Sequence, residues 1–142
     1  MILIDANLLL YASLEELHQH HLAKSWLEGV LNGDQPIGLP WLVTLAVLRI
    51  STNPRVLQRP LSTTEALELT DGWLEHPLVQ PLEPGPGHWS ILRMLLAQAG
   101  TAANLSSDAH LAALAIANDG ILYSADNDFR RFRGLRHRDP LR

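Results

Sequence analysis

The chain has 142 residues, 46% of them hydrophobic, and a formal net charge of −4. That combination gives one domain, 1–142, with enough apolar mass for a core, and excludes a disordered chain. It contains no cysteine, which excludes disulfides and thiolate metal sites.

The first segment, MILIDANLLLYA, reads as a short buried strand over 2–5, and it carries a carboxylate at Asp5 inside an apolar run. An unpaired buried charge costs several kcal/mol, so Asp5 requires a compensating partner. Apolar residues at helical spacing predict a helix over 18–33, ended by Gly33. PIGLP (36–40) is a predicted strand, and a helix from Trp41 stops at TNP, because a residue before proline avoids helical geometry. A helix over 62–76 opens on the capping-box pattern Ser62-x-x-Glu65. LVQPL (78–82) is a strand whose Pro81 suits a sheet edge. Residues 85–100 read as turn plus helix, 106–120 as a helix with Gly120 past its end, and ILYS (121–124) as the last strand. Strands alternating with helices predict a three-layer α/β/α sandwich around a mostly parallel sheet.

No apolar run reaches the ~18 residues of a membrane span. The N-terminal run has no basic leader and is broken by Asp5, so a cytoplasmic protein without a signal peptide or membrane anchor is expected. Charge is unevenly distributed. Residues 1–129 hold five of the eleven Lys+Arg and fourteen of the fifteen acids, whereas 130–142 hold six arginines and one acid. Such asymmetry fits an anionic partner at the C-terminal end, or a solvated tail offsetting an acidic body.

In open parallel sheets, ligands sit beyond the carboxyl ends of the strands. That rule selects Asp5 at the end of the first strand, Asp126 and Asp128 just past the last, and Asp108 in the first turn of the late helix. Gathered carboxylates repel and raise one another's pKa unless a cation is present, and an all-oxygen ligand set fits Mg²⁺ or Mn²⁺. Singly, each acid has a local reading: a cap for Asp5 and Asp108, an Asx turn for Asp126 and Asp128. Those readings leave the convergence of three segments at one sheet edge to coincidence.

MILIDANLLLYA, SSDAHLAALAI and LYSADNDFRRF resemble the PIN-domain nucleases, specifically the VapC-type toxins of bacterial toxin–antitoxin pairs. The resemblance runs the length of the chain and includes LPWLVTLAVLRISTNP and GLRHRDPL. It implies an Mg²⁺-dependent endoribonuclease held inactive by a cognate antitoxin. It also implies metal ligation by Asp5, Asp108 and Asp126, a further catalytic acid at Asp128, and small polar residues beside the site at Asn7 and Ser124 that bind substrate. Metal-assisted in-line attack of water on phosphorus, leaving a 3′-hydroxyl and a 5′-phosphate, is the chemistry implied. Arg130, Arg131 and Arg133 follow the acids closely enough to engage flanking phosphates of RNA. A homodimer that binds a small antitoxin through the apolar helices around Trp26 and Trp41 is expected.

One position departs from the pattern. Many relatives carry a Glu where this chain has Ala46, and residues 41–50 contain no acid. Asp128 is the candidate replacement. The alternative left open is a catalytically weakened PIN-fold module that binds RNA or protein.

Other signals are set aside on chemical grounds. His18 and His21 lack a third metal ligand. Ser107, Asp108 and His110 lie too close on one helix to form a triad. PGPGH has no lysine for a phosphate loop, and the tryptophans at 26, 41, 73 and 89 read as core. An aspartyl-phosphate phosphatase requires a second Asp where Asn7 stands and a late lysine, and the only lysine is Lys24.

Overall fold

The computed structural model describes all 142 residues. Five strands form one parallel sheet in the order β3-β2-β1-β4-β5: β1 (Ile2–Ile4), β2 (Ile37–Pro40), β3 (Val79–Leu82), β4 (Ile121–Tyr123) and β5 (Arg136–Arg138). The helices are α1 (Ala6–Ser13), α2 (His20–Leu31), α3 (Trp41–Ser51), α4 (Thr63–Leu74), α5 (His88–Ala99) and α6 (Ser106–Ala117). Every residue of β1 and β2 is buried, so helices cover both faces of the central strands, as parallel sheets require. The core is one cluster of 28 buried residues that includes all of β1, Leu8, Leu9 and Leu10 of α1, and Leu111 to Ala115 of α6. No helix is long and apolar enough to cross a membrane.

Two elements are absent from the sequence reading. Helix α1 begins one residue after β1 and buries Leu8, Leu9, Leu10 and Ala12. Three successive buried leucines leave no amphipathic period, which is why the segment looked like a continuing apolar run. Strand β5 is short, and its Arg136 and Arg138 are exposed. It closes the edge opposite β3, whose Pro81 occupies the other edge as expected.

The capping box at α4 is present. Ser62 Oγ accepts from the Glu65 N–H at 3.1 Å, and Glu65 Oε1 accepts from the Ser62 N–H at 2.9 Å. The turn after α6 works differently from expectation. The left-handed residue is Asp119, at φ 49, and not Gly120. Gly120 is needed for space instead: a Cβ there would stand 2.7 Å from Leu3 Cδ1 and 3.1 Å from the Met1 carbonyl. The tryptophan reading is corrected as well. Trp73 is buried, and Trp26 is half-buried against Tyr123 at 5.2 Å between ring centroids. Trp41 and Trp89, however, are 44% and 66% exposed, each on an outward face in the first turn of its helix.

Candidate active site

Register places the first acid. Ile4 pairs with Tyr123 across β1 and β4, so Asp5 and Ser124 leave the sheet side by side at the carboxyl ends of central strands. The Asp5 N–H still donates to the Tyr123 carbonyl at 3.0 Å, and the Ser124 N–H to the Arg138 carbonyl at 3.0 Å. Asp5 is at once the last residue in the ladder and the N-cap of α1.

The partner that the buried carboxylate requires is Ser124. Ser124 is fully buried, and its hydroxyl donates to Asp5 Oδ2 at 2.7 Å. Ser124 Oγ also accepts from Asn7 Nδ2 at 3.2 Å and from the Asp126 N–H at 3.0 Å, filling its one donor and two acceptor positions. Asp5 Oδ1 accepts from the Ala6 N–H at 2.7 Å, and Asn7 Oδ1 accepts from the Ala125 N–H at 3.3 Å. Burial still pushes the Asp5 carboxyl above its ordinary value. The Ser124 and Ala6 hydrogen bonds pull it back, the Asp126 charge pushes it up, and His137 pulls it down.

Asp126 caps a short 3₁₀ turn, Asn127–Arg131, by accepting from the Asp128 N–H at 2.9 Å. Fully buried Phe129 and nearly buried Phe132 anchor this turn in the core, leaving Asp128 and Arg130, Arg131 and Arg133 exposed. Asp108 enters from α6, half-buried in its first turn. Its carboxyl is pushed up to about 6 by burial first, then by the charges of Asp126, Asp5 and Asp128. The favourable helix N-terminus does not overcome that crowding.

The four sequence-predicted acids therefore meet at one sheet edge. The closest set is Asp108, Asp126 and Asp128, whose carboxylate oxygens lie within 4.8 Å of one another. Asp5 lies outside that spacing, with both its oxygens hydrogen-bonded. The donor set is all carboxylate, and within it half-buried Asp108 is raised by burial and by the neighbouring charges, so the residues fit a hard divalent cation such as Mg²⁺ or Mn²⁺. No second group of His or acid side chains is close enough to hold a metal. His20 Nδ1 is engaged with the Tyr11 carbonyl at 2.8 Å, and His110 with His88 at 2.9 Å.

A cleft of about 130 Å³ opens beside the acids, lined by Asp5 and Asp108 on one side and Leu42, Ala46 and Arg49 of α3 on the other. Ala46 thus faces the site, as its place in the family pattern implied. Sequence reasoning missed Arg49 and also His137, whose Nε2 lies 3.0 Å from the Ser124 carbonyl. The available signal for Arg49 was its spacing, three residues after Ala46 on one helical face. Of the C-terminal arginines, Arg136 pairs with Asp119 at 2.7 Å and Arg142 with Asp139 at 3.3 Å. Arg130, Arg131 and Arg133 make no ion pair.

A five-stranded parallel sheet with acids converging beyond its central strands places the chain among α/β proteins whose site lies at the carboxyl ends of the strands. The PIN domain profile matches residues 2–135, and the chain belongs to that family. It is 43% identical over 142 residues to Ribonuclease VapC33 of Mycobacterium tuberculosis, covering 100% of this chain and 99% of that protein. It is 40% identical over 141 residues to VapC ribonuclease Mb2897 of Mycobacterium bovis, covering 99% and 96%. Among solved structures, VapBC2 from Rickettsia felis bound to a DNA fragment from its promoter superposes with a TM-score of 0.68 at 19% identity, covering 97% of this chain and 98% of that one.

Proposed function

We propose that the protein is a metal-dependent endoribonuclease and the toxin of a toxin–antitoxin pair, acting in the cytoplasm. The observation that carries this reading is the convergence of Asp5, Asp108, Asp126 and Asp128, with the Asp108 carboxyl at about 6. The full-length similarity to relatives named ribonucleases supports RNA as the substrate.

Asp108 and Asp126 would hold Mg²⁺ or Mn²⁺ together with Asp5, whose oxygens each keep a second lone pair beside their hydrogen bonds, and Asp128 lies beside them. When bound there, the cation supplies Lewis-acid polarisation of a phosphoryl oxygen and acidifies a water. The chain's own residues do the rest. Ser124 and Asn7 lock the Asp5 carboxylate in one orientation, so it is preorganised. Asp128, exposed at the rim, would accept a proton from the attacking water. Water oxygen bonds to phosphorus and gives up a proton to Asp128, the P–O3′ bond breaks with its electron pair on O3′, which takes a proton from solvent water, and the products are a 3′-hydroxyl and a 5′-phosphate. Arg130, Arg131 and Arg133, free of internal partners, hold flanking phosphates against an otherwise acidic body.

The chain's partners on this reading are a second copy of itself and a small antitoxin. The VapBC2 complex of similar fold lends support. The exposed Trp41 and Leu45 offer an apolar surface for such contacts. Ala46, neutral where it lines the cleft, favours a second reading: a PIN-fold module that binds RNA or protein without turnover.

One experiment separates the two. Cleavage of RNA by the purified protein is expected with Mg²⁺ or Mn²⁺ and not in excess EDTA. Asp5→Asn, which keeps the shape and removes the charge, is expected to lower the rate by about 100-fold or more while the fold persists. Cleavage that continues undiminished in EDTA, with contaminating nuclease excluded, overturns the metal-dependent reading. RNA binding with no metal-dependent turnover selects the second.

A further inference from the structure

The geometry points to Arg49 as an RNA-phosphate contact that completes the site from its α3 wall. This rests on the ribonuclease reading and adds a residue to it. Arg49 is the only basic residue lining the cleft that Asp5 and Asp108 share. It makes no ion pair and no side-chain hydrogen bond, although two carboxylates line the same cleft. It is exposed, so its guanidinium is available to a ligand.

A basic residue in the last turn of a helix has an ordinary explanation, since cations favour that end of the dipole. The dipole accounts for the charge but not for the direction in which it faces. Leu42, Ala46 and Arg49 follow one another at helical spacing along one face of α3, and that face is a wall of the cleft.

Charge gives the reason a cation is useful there. Four carboxylates exceed the charge of one divalent ion, so a phosphodiester entering the cleft meets residual negative potential. Arginine is suited to offset it, because its planar fork gives two parallel N–H bonds to phosphate oxygens and it stays charged at any working pH. The wall that carries neutral Ala46 carries its positive charge one turn later. On this arrangement the α3 wall recognises substrate, while the β1, β4 and α6 side holds the acids.

The test uses a fluorescent single-stranded RNA oligonucleotide and the full chain, with Asp5→Asn as the uncleaving background. Adding Arg49→Gln is expected to weaken RNA binding by about tenfold, the loss of one charge-assisted contact. The slope of log affinity against log salt should fall in magnitude by about 0.7, one phosphate on a single strand. Arg49→Lys should keep the slope and recover only part of the affinity. In the otherwise wild-type protein, Arg49→Gln should raise KM more than it lowers kcat, with Tm and Mn²⁺ binding by the protein alone not weakened.

RNA affinity and salt slope unchanged in Arg49→Gln, while the wild-type protein cleaves RNA, overturns the inference and leaves the ribonuclease reading standing. Unchanged RNA affinity with tighter Mn²⁺ binding overturns it too, assigning Arg49 as a counter-charge to the acids. Absence of metal-dependent cleavage by the wild-type protein overturns the underlying reading and this inference with it.

Discussion

Asp5 and Asp108 share a cleft, yet the fold holds them by opposite means. Asp5 is tethered through both oxygens, to Ser124 Oγ at 2.7 Å and to the Ala6 N–H at 2.7 Å, at the end of a fully buried strand. Asp108 has no hydrogen-bond partner, stands half-buried on a helix, and is pushed up by burial first and then by the charges of three other acids. One carboxylate is positioned by covalent topology and hydrogen bonds. The other is positioned by its helix and tuned by burial and repulsion. The pair shows two ways a fold can hold like charges together: one acid fixed by hydrogen bonds, the other left free to respond to its surroundings.

The largest effect is expected from breaking the rigid side without touching an acid. Ser124→Ala removes a buried hydroxyl that serves Asp5, Asn7 and the Asp126 N–H together. Leaving these groups unpaired should cost about 2 kcal/mol of stability. Asp5, deprived of the hydrogen bond that lowers its pKa most, should be still harder to ionise. Metal affinity is expected to fall about 10-fold or more, as when a ligand's support is lost. Titration of Mn²⁺ into the variant checks this, and affinity equal to wild type would reduce Ser124 to a packing role.

The responsive side predicts a pH dependence with a definite sign. In the absence of metal the Asp108 carboxyl stands at about 6, above its ordinary value of 3.8, so the folded chain binds more protons than the unfolded chain between those values. Stability contributed by Asp108 is therefore present at low pH and lost as pH rises through that window. His110, whose pKa is lowered by burial and by His88, acts in the opposite sense, losing stability as pH falls below 6.5. The difference between wild type and Asp108→Asn isolates the first effect. In chelator, Asp108→Asn is expected to be more stable at neutral pH by about 1 kcal/mol, a figure discounted because water screens a half-exposed carboxylate. At about pH 4 the two should converge. A Tm difference that does not vary with pH would remove the raised Asp108 carboxyl, and with it burial and charge crowding as the control on this residue.

The same contrast explains what was legible in the residues alone. Asp5 and Asp126 were readable because a parallel sheet delivers ligands beyond its strand ends, and ILI and ILYS are clear buried strands. Asp108 was readable from its place at a helix start. The hydrogen-bond centre at Ser124 was visible only as a family position, since a lone serine after a strand carries no signal of three partners. Helix α1 was hidden by leucines buried all round, and β5 by a sequence, Arg136–His137–Arg138, that is polar throughout. Arg49 was hidden for a different reason: which way a single arginine faces is decided by how α3 packs, and one charge on a helix has no periodicity of its own.

The smallest expected effect concerns the rim rather than the carboxylates. Phe129 and Phe132 pin the turn that carries Arg130 and Arg131 and the backbone just before Arg133, so the backbone of these three residues follows the acids at a set place in the fold. From that place the three charges can contact phosphates on either side of the cleft while the acids remain bare to the cation. Changing all three to Gln removes up to three phosphate contacts, and the salt slope of RNA binding should flatten by about 2. Because these residues are exposed and unpaired, the substitution should leave Tm within the small range typical of surface changes. Metal affinity measured without RNA should change little, since screening by salt and water separates rim charges from the acid cluster. A flattened slope with intact metal binding would place recognition on the rim and chemistry on the sheet edge. An unchanged slope would detach the basic tail from RNA and leave it to solubility or to a protein contact.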